Sequence, residues 1–343
     1  MSKPRSIRAG TTRLIFVDDS LPGITRRKAG RGWAYFDPHG QRITRRDEIE
    51  RLNRIALPPA YRDAWFCPAD NGHILAIGYD DKGRKQYRYH PDFRNHKEGE
   101  KFDGCAAFGR LLPLIRQRVE ADLAAPQLTR ERAIASIVRL LDTGGIRIGN
   151  EAYAQANKSF GATTLRMRHA RASGNVLTLR FRAKSGKDCQ MTVTDKGLAR
   201  FVRKMQDLPG QHLFQYLDDD GVPSPVGSAD VNEYLRETAG ADITAKNFRT
   251  WHASALGLEI LAEAEGKVPI KALLEHVSAR LGNTPAVARR SYIHPAVIAL
   301  TERQEAFRAN LELPRKTRWL SRHERALIDL LDEAPAAAKL LVA

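Results

Sequence analysis

An α+β fold, with a small strand-rich amino-terminal domain and a larger, mainly helical domain holding one inserted β-sheet, follows from three features of the sequence. Up to about residue 90, apolar residues come in short runs broken by Gly, Pro and Asp. Beyond about residue 104 they recur at helical spacing, and only 175–194 returns to a strand-like pattern. The 343 residues also exceed the roughly 250–300 at which single cores stop growing, so two domains are expected.

Taken in order, "RLIFVDD", "GWAYFDP" and "GHILAIGYDDKGRKQYRYH" predict strands of a small sheet, with one helix over 46–53. The stretch "PDFRNHKEGEKFD", 91–103, is polar, opens on proline and lacks an apolar period. It places a linker at 93–103, after a domain over 1–92. A helical domain over 104–305 is then predicted from apolar spacing at 108–123, 130–143, 198–205, 228–237, 245–264, 271–281 and 296 onward. Within it, "NVLTLRFRAKSGKDCQMTVT" reads as a hairpin turning at Ser-Gly. Asp230 followed by Glu233 fits a helix cap, and "DDDG" at 218–221 a solvated loop rather than a ligand set. Residues 306–343 are expected to be a helical extension, to which the sequence assigns no function.

Lys and Arg total 56 against 40 Asp and Glu, and the resulting +16 is spread along the chain. A polyanionic partner is expected, nucleic acid first. Cys67, Cys105 and Cys189 are widely spaced and form no C-x-x-C pair, so neither a disulfide framework nor a zinc cluster is indicated. The start, "MSKPRSIRAG", has no apolar stretch after its charges, and nowhere do about 18 uncharged apolar residues run together. The expectation is a cytoplasmic protein without a membrane partner.

Four stations in the helical region carry residues suited to chemistry. In "GGIRIGNEAY", Arg147 follows two glycines, where it could cap carbonyls, pair with Glu151 or bind an anion. Lys184 lies at the turn of "FRAKSGK", where lysine is usually just solvated. In "AKNFRTWHAS", Arg249 falls beside the apolar stripe of Phe248, Trp251 and Leu256, and a desolvated guanidinium demands an anion. In "LGNTPAVARRSYIHP", Tyr292 sits among arginines, where it is either core or reactive.

The ordered set Arg147, Lys184, Lys246-x-x-Arg249, Asn283 and Tyr292 resembles the catalytic pattern of type IB DNA topoisomerases, of the compact poxvirus-like bacterial kind. "GRKQYRYH" is similar to the strand with which that family grips duplex DNA, and "QYLDDDGVPSPVGSADVNEYLRE" looks like its stretch before the second arginine. One departure is Asn283, where many members carry histidine; an amide NH₂ can still donate to a phosphate oxygen, without becoming cationic.

The resemblance implies a tyrosine recombinase/type IB topoisomerase-like fold and relaxation of supercoiled DNA. Tyr292 would attack a backbone phosphorus to give a 3′-phosphotyrosyl enzyme, the free strand would rotate, and the reverse attack would reseal it. Arg147, Arg249 and Asn283 would stabilise the phosphoryl oxygens, and Lys184 would protonate the leaving 5′-oxygen. Arg84, Lys85, Gln86, Tyr87, Tyr89, Asn150, Tyr153 and Lys246 would contact DNA, with Tyr87 and Tyr89 on one strand face. The partner implied is double-stranded DNA, held by a nucleoid-associated monomer that closes as a clamp. No phosphate-binding G-x-x-x-x-G-K-[ST] or H-E-x-x-H occurs, so no cofactor, ATP or obligatory metal is expected. A tyrosine recombinase, or a non-catalytic basic protein that coats DNA, are the alternatives.

Overall fold

A computed structural model describes residues 6–9 and 12–342; residues 1–5, 10, 11 and 343, which include six of the ten residues of "MSKPRSIRAG", lie outside the described set. The chain divides into two compact units, one up to Lys101 and one from Phe102 to Leu341.

The first unit is built on strands, because its apolar residues alternate with polar ones. A ribbon pairs β1 (Ser6–Ala9) with β2 (Thr12–Ile15). The main sheet comprises β3 (Ile24–Ala29), β4 (Gly32–Phe36), β5 (Arg62–Phe66), β6 (Ile74–Tyr79) and β7 (Lys85–Tyr89), antiparallel in the order β4-β3-β5-β6-β7. Helix α1 (Arg46–Arg54) packs Leu52 against Ile24, Tyr35, Phe66 and Ala76 of its inner face. Strand β7 is an edge, so one row of its backbone groups and its exposed side chains face outward.

The segment expected as a linker is instead a helix, α2 (Pro91–Asp103). Its charges pair one turn apart, Lys97 with Glu100 at 2.7 Å and His96 with Glu100 at 3.2 Å. Only Phe93 and Phe102 give it buried anchors, and two apolar positions nine residues apart leave no period to read.

In the second unit, helices α3 (Cys105–Ala124), α4 (Arg130–Gly144) and α8 (Ala245–Glu263) form the centre of a single core, with α5 (Glu151–Asn157), α6 (Lys196–Gln206) and α7 (Ser228–Ala239) joined to it. Helix α4 buries ten of its fifteen residues, as a helix apolar on nearly every side must. The inserted sheet is three-stranded, with order β10-β9-β8 from β8 (Ala170–Ser173), β9 (Val176–Arg182) and β10 (Asp188–Thr194). Leu177, Leu179 and Phe181 of β9 point into the core at period two. A two-stranded ribbon, β11 (Gln215–Leu217) with β12 (Pro223–Pro225), carries the "DDDG" stretch as its turn. The cap of α7 differs from expectation: Gly227 is the cap, and Asp230 sits at the third helical position, where its carboxylate accepts from Gly227 N at 2.7 Å.

Helices α9 (Ile270–Leu281), α10 (Pro285–Ser291), α11 (Pro295–Ala299) and α12 (Gln304–Ala309) follow α8, then α13 (Arg322–Glu333) and α14 (Ala337–Val342). The carboxyl-terminal helix α13 docks by Ala326 and Leu327 and by Glu324, which accepts from Arg116 of α3 at 2.7 Å and from the buried Trp251 indole of α8 at 3.0 Å. None of the described helices is long and apolar enough to cross a membrane.

Candidate active site

Three helix ends and one hairpin turn supply the candidate residues. Helix α4 stops at Gly145, whose φ of 61° is left-handed and favours glycine. The chain then runs through Arg147 to Gly149 beside residues 161–163, with Ala162 N donating to Arg147 O and Thr163 N to Ile148 O, both at 2.8 Å. A Cβ at Gly161 would lie 2.6 Å from Arg147 O, so this close backbone approach needs glycine there. The backbone of Arg147 is thereby pinned, while its side chain stays half-buried.

Asn283 occupies the link between α9 and α10. Gly282 ends the first helix, Thr284 caps the second by accepting from Val287 N at 3.3 Å, and Pro285 starts it. Tyr292 follows at the end of α10, and Pro295 keeps that helix from continuing. The Tyr292 carbonyl accepts from Ser254 of α8 at 3.4 Å, and His294 N donates to the same hydroxyl at 2.9 Å, while Ile293 is fully buried. Lys184 lies in the turn between β9 and β10, exposed.

Arg249 is the centre of the arrangement. Only 4% exposed, it donates to the carbonyls of Gly145 and, at 2.9 Å, of Leu281, and at 3.2 Å to Asn283 Oδ1. Arg147 donates to the same Asn283 oxygen. Because that oxygen faces two guanidinium groups, the amide orientation is set by its partners, and its Nδ2 is left buried with no hydrogen-bond partner. Arg249 Nε is likewise buried and unpartnered. Among the described residues no carboxylate is paired with Arg147 or Arg249, and Lys184 has no partner. Glu151, the acid considered for Arg147, binds Arg166 instead at 2.5 Å.

Two consequences follow for protonation. Burial, then the charge of Arg147, lowers the pKa of Arg249, with Tyr292 opposing. For Tyr292, burial alone would raise the phenol's pKa. The charge of Arg249 and its polar contact with the phenol, then the charges of Arg147 and Lys184, outweigh burial and hold it below the ordinary value. The Arg249 guanidinium also lies over the Tyr292 ring, 4.9 Å from its centroid. Tyr234 shows the opposite case: burial and a 2.7 Å hydrogen bond to Asp122 push its phenol up.

Arg147, Arg249, Asn283 and Tyr292 are thus brought together, and Lys184 is close enough for its charge to act on the phenol. Sequence reading missed Lys187, whose ammonium donates to the Asn283 carbonyl at 3.3 Å, and the Gly145 and Leu281 carbonyls that hold Arg249. The "AKSGK" turn was the available signal for the first; the carbonyls had none beyond the glycines after two helices.

The residues expected to meet DNA are placed less uniformly. Tyr87 and Tyr89 are 41% and 43% exposed, with rings stacked 5.7 Å apart on one face of β7. Lys85 shares that face and is ion-paired with Asp19. Arg84 and Gln86 are not free as expected, because Asp80 accepts from them at 2.8 and 3.0 Å. The Arg84 hydrogen bond is the main reason that carboxyl is lowered to about 2. Asn150 caps α5 by accepting from Tyr153 N at 2.9 Å, and Lys246 is exposed in the first turn of α8. Among the described residues one trio has metal-ligating atoms within 4.8 Å of one another, Glu259, Glu263 and His323, an ion-paired contact between α8 and α13.

Comparison with known proteins shows the family. Residues 90–312 match the family model described as eukaryotic DNA topoisomerase I, catalytic core, and 32–80 match the bacterial DNA topoisomerase IB amino-terminal domain. A DNA topoisomerase 1B of Acanthamoeba polyphaga mimivirus is 32% identical over 303 residues, covering 84% of this chain and 90% of the relative. This chain belongs to the type IB DNA topoisomerase family. A second relative of this topoisomerase, DNA topoisomerase 1 of Mycosarcoma maydis, is 26% identical over 232 residues; the match spans 61% of this chain and 23% of that longer protein. Among solved structures, a XerH site-specific recombinase bound to difH substrate is 14% identical to the topoisomerase chain, with TM-score 0.34 over 62% of this chain and 55% of that one.

Proposed function

We propose that this type IB topoisomerase relaxes supercoiled duplex DNA with Tyr292 as nucleophile. The observation that carries the reading is the buried, unpartnered amide nitrogen of Asn283 beside two guanidinium groups that no carboxylate among the described residues neutralises. An unsatisfied buried donor costs roughly 1–3 kcal/mol, and a desolvated cation without a counter-ion costs more. A phosphodiester brought against the phenol relieves both.

In cleavage, the Tyr292 oxygen bonds to phosphorus as its proton passes to solvent water, and the bond from phosphorus to the 5′-oxygen breaks. Arg147 and Arg249 hold the phosphoryl oxygens that gain charge, with Asn283 Nδ2 as a neutral third donor. Lys184 gives its proton to the departing 5′-oxygen, leaving a 3′-phosphotyrosyl enzyme. Reversal reseals the strand, and because one phosphodiester replaces another, no ATP is required; with side-chain donors on the phosphoryl oxygens the reading invokes no metal. The +16 charge supports duplex binding through phosphates. In this reading the strand-rich domain, residues 1–92, grips the duplex through the exposed tyrosines of β7, with Lys85, Lys246, Asn150 and Tyr153 as further contacts. A nucleoid-associated cytoplasmic monomer closes as a clamp while the free strand end rotates.

The test uses negatively supercoiled plasmid with chelator and without ATP, beside Tyr292→Phe. Relaxation by the native chain, and its loss in a variant that still binds duplex, is the expected result. A recombinase would relax little without paired target sites, and equal behaviour of the two proteins would leave a coat protein.

A further inference from the structure

We infer that Lys187 is a positioning residue for the proton donor Lys184, an assignment that rests on the reading of Lys184 given above. The two lysines stand at either end of one tight turn. Ala183 N donates to Lys187 O at 2.7 Å, and Gly186 N to Ala183 O at 3.1 Å. Ser185 and Gly186 both take left-handed backbone, with φ of 64° and 74°. Arg182 Nε closes the turn further by donating to Gly186 O at 3.3 Å. A turn tied this way moves as a body, so whatever holds Lys187 also sets where the Lys184 side chain begins.

The hold is on the catalytic side. Lys187 Nζ donates at 3.3 Å to the backbone carbonyl of Asn283, the residue whose side chain receives both arginines. Lys187 also lines a cavity of about 410 Å³ shared with Arg147, Arg249 and Gly282. One hydrogen bond therefore registers the turn carrying the acid against the segment carrying the phosphate donors. Lys184 needs that registration. It is exposed and unpartnered among the described residues, and its flexible four-carbon stem leaves the position of the ammonium to the backbone beneath it. Proton transfer in turn requires the donor within hydrogen-bond reach of the leaving oxygen.

Chemistry separates positioning of an acid from plain phosphate binding. With the native substrate the 5′-oxygen departs as an alcohol and needs the proton of Lys184. With sulfur in that bridging position the leaving group departs as a thiolate, a far better leaving group than an alkoxide because a thiol such as that of cysteine ionises at about 8.5. No proton donor is then needed.

The experiment measures single-turnover cleavage by the full chain on a duplex centred on a cleavage site mapped with the native enzyme, made with oxygen or with sulfur at the 5′ bridge. Lys187→Met should cleave the oxygen duplex on the order of tenfold more slowly and the sulfur duplex at the native rate. Lys187→Arg, which retains a donor, should recover most of the oxygen rate. A Lys187→Met protein slow on both duplexes, or native on both, overturns the assignment. Lys184→Ala is the control for the underlying reading. If sulfur fails to restore it, Lys184 is not the acid and both readings fall; if sulfur restores Lys184→Ala but not Lys187→Met, only the role of Lys187 falls.

Discussion

Arg249, buried, and Arg116, half-buried, are both arginines of the helical unit, and their surroundings are opposite. Arg116 binds Asp142 through two nitrogens at 2.8 and 2.9 Å and Glu324 through two more contacts at 2.7 and 3.0 Å. Burial alone would lower its pKa, but Asp142 and Glu324 outweigh burial and raise it. Arg249 has only carbonyls, an amide oxygen and a tyrosine ring, and its pKa is lowered. The difference teaches how to tell a structural charge from a working one. A buried cation that the fold has already neutralised holds helices together, whereas one left without an anion is prepared to receive it from a ligand.

The largest expected effect is on the group between the uncompensated charges. Tyr292→Phe keeps the ring under Arg249 and removes only the oxygen, so denaturing gels should show no covalent adduct while duplex affinity stays native.

Exchanging each arginine for methionine tests the comparison itself. Arg249→Met should slow single-turnover cleavage by about 10²–10³, the range for losing one transition-state donor, with a small change in melting temperature. Arg116→Met should do the reverse, destabilising by about 3–5 kcal/mol because two buried carboxylates lose their partner, with cleavage per folded molecule near native. Similar melting curves for the two variants would erase the distinction.

Acid stability sharpens it. Burial would raise Asp142 and Glu324, but hydrogen bonds and charge from His252 and Arg116 in the first case, and from Arg116 chiefly in the second, leave both lowered. Their contribution is therefore present above the unfolded values of about 3.9 and 4.3 and lost as pH falls below them toward the folded values. Denaturant midpoints should drop through that window for the native chain and more shallowly for Glu324→Gln; parallel profiles would contradict the pairing.

The Tyr292 phenol, held low mainly by Arg249 against burial, predicts that cleavage rises with pH with a midpoint below about 10, and that Arg249→Met moves the rise upward. The smallest effect concerns binding. Lys246→Ala should reduce the salt slope of duplex affinity by about one contact, and Arg84→Ala by less, since Asp80 already neutralises Arg84.

Much of the site was legible because its determinants are local. Gly282, Thr284 and Pro285 end one helix and begin the next within four residues, which presents Asn283 in the link. Arg249 reads as partly desolvated from its neighbours Phe248 and Trp251, and the Ser-Gly turn places Lys184 at a hairpin tip. What escaped reading includes contacts only a few residues apart, which apolar spacing does not reveal. Helix α2 shows no apolar period because only Phe93 and Phe102 anchor it, and Arg84 looked available until the β6–β7 turn folded Asp80, four residues earlier, back to it.

The sequence by itself determined the residue types, their order and the helix ends that present them, since capping, turn chemistry and apolar spacing act over a few residues. Only the tertiary structure decided which of the two arginines is neutralised. Arg116 meets Glu324 across 208 positions and Arg249 meets Asn283 across 34, and no local pattern encodes such encounters. Charge compensation depends on distance in space, and folding alone sets that distance.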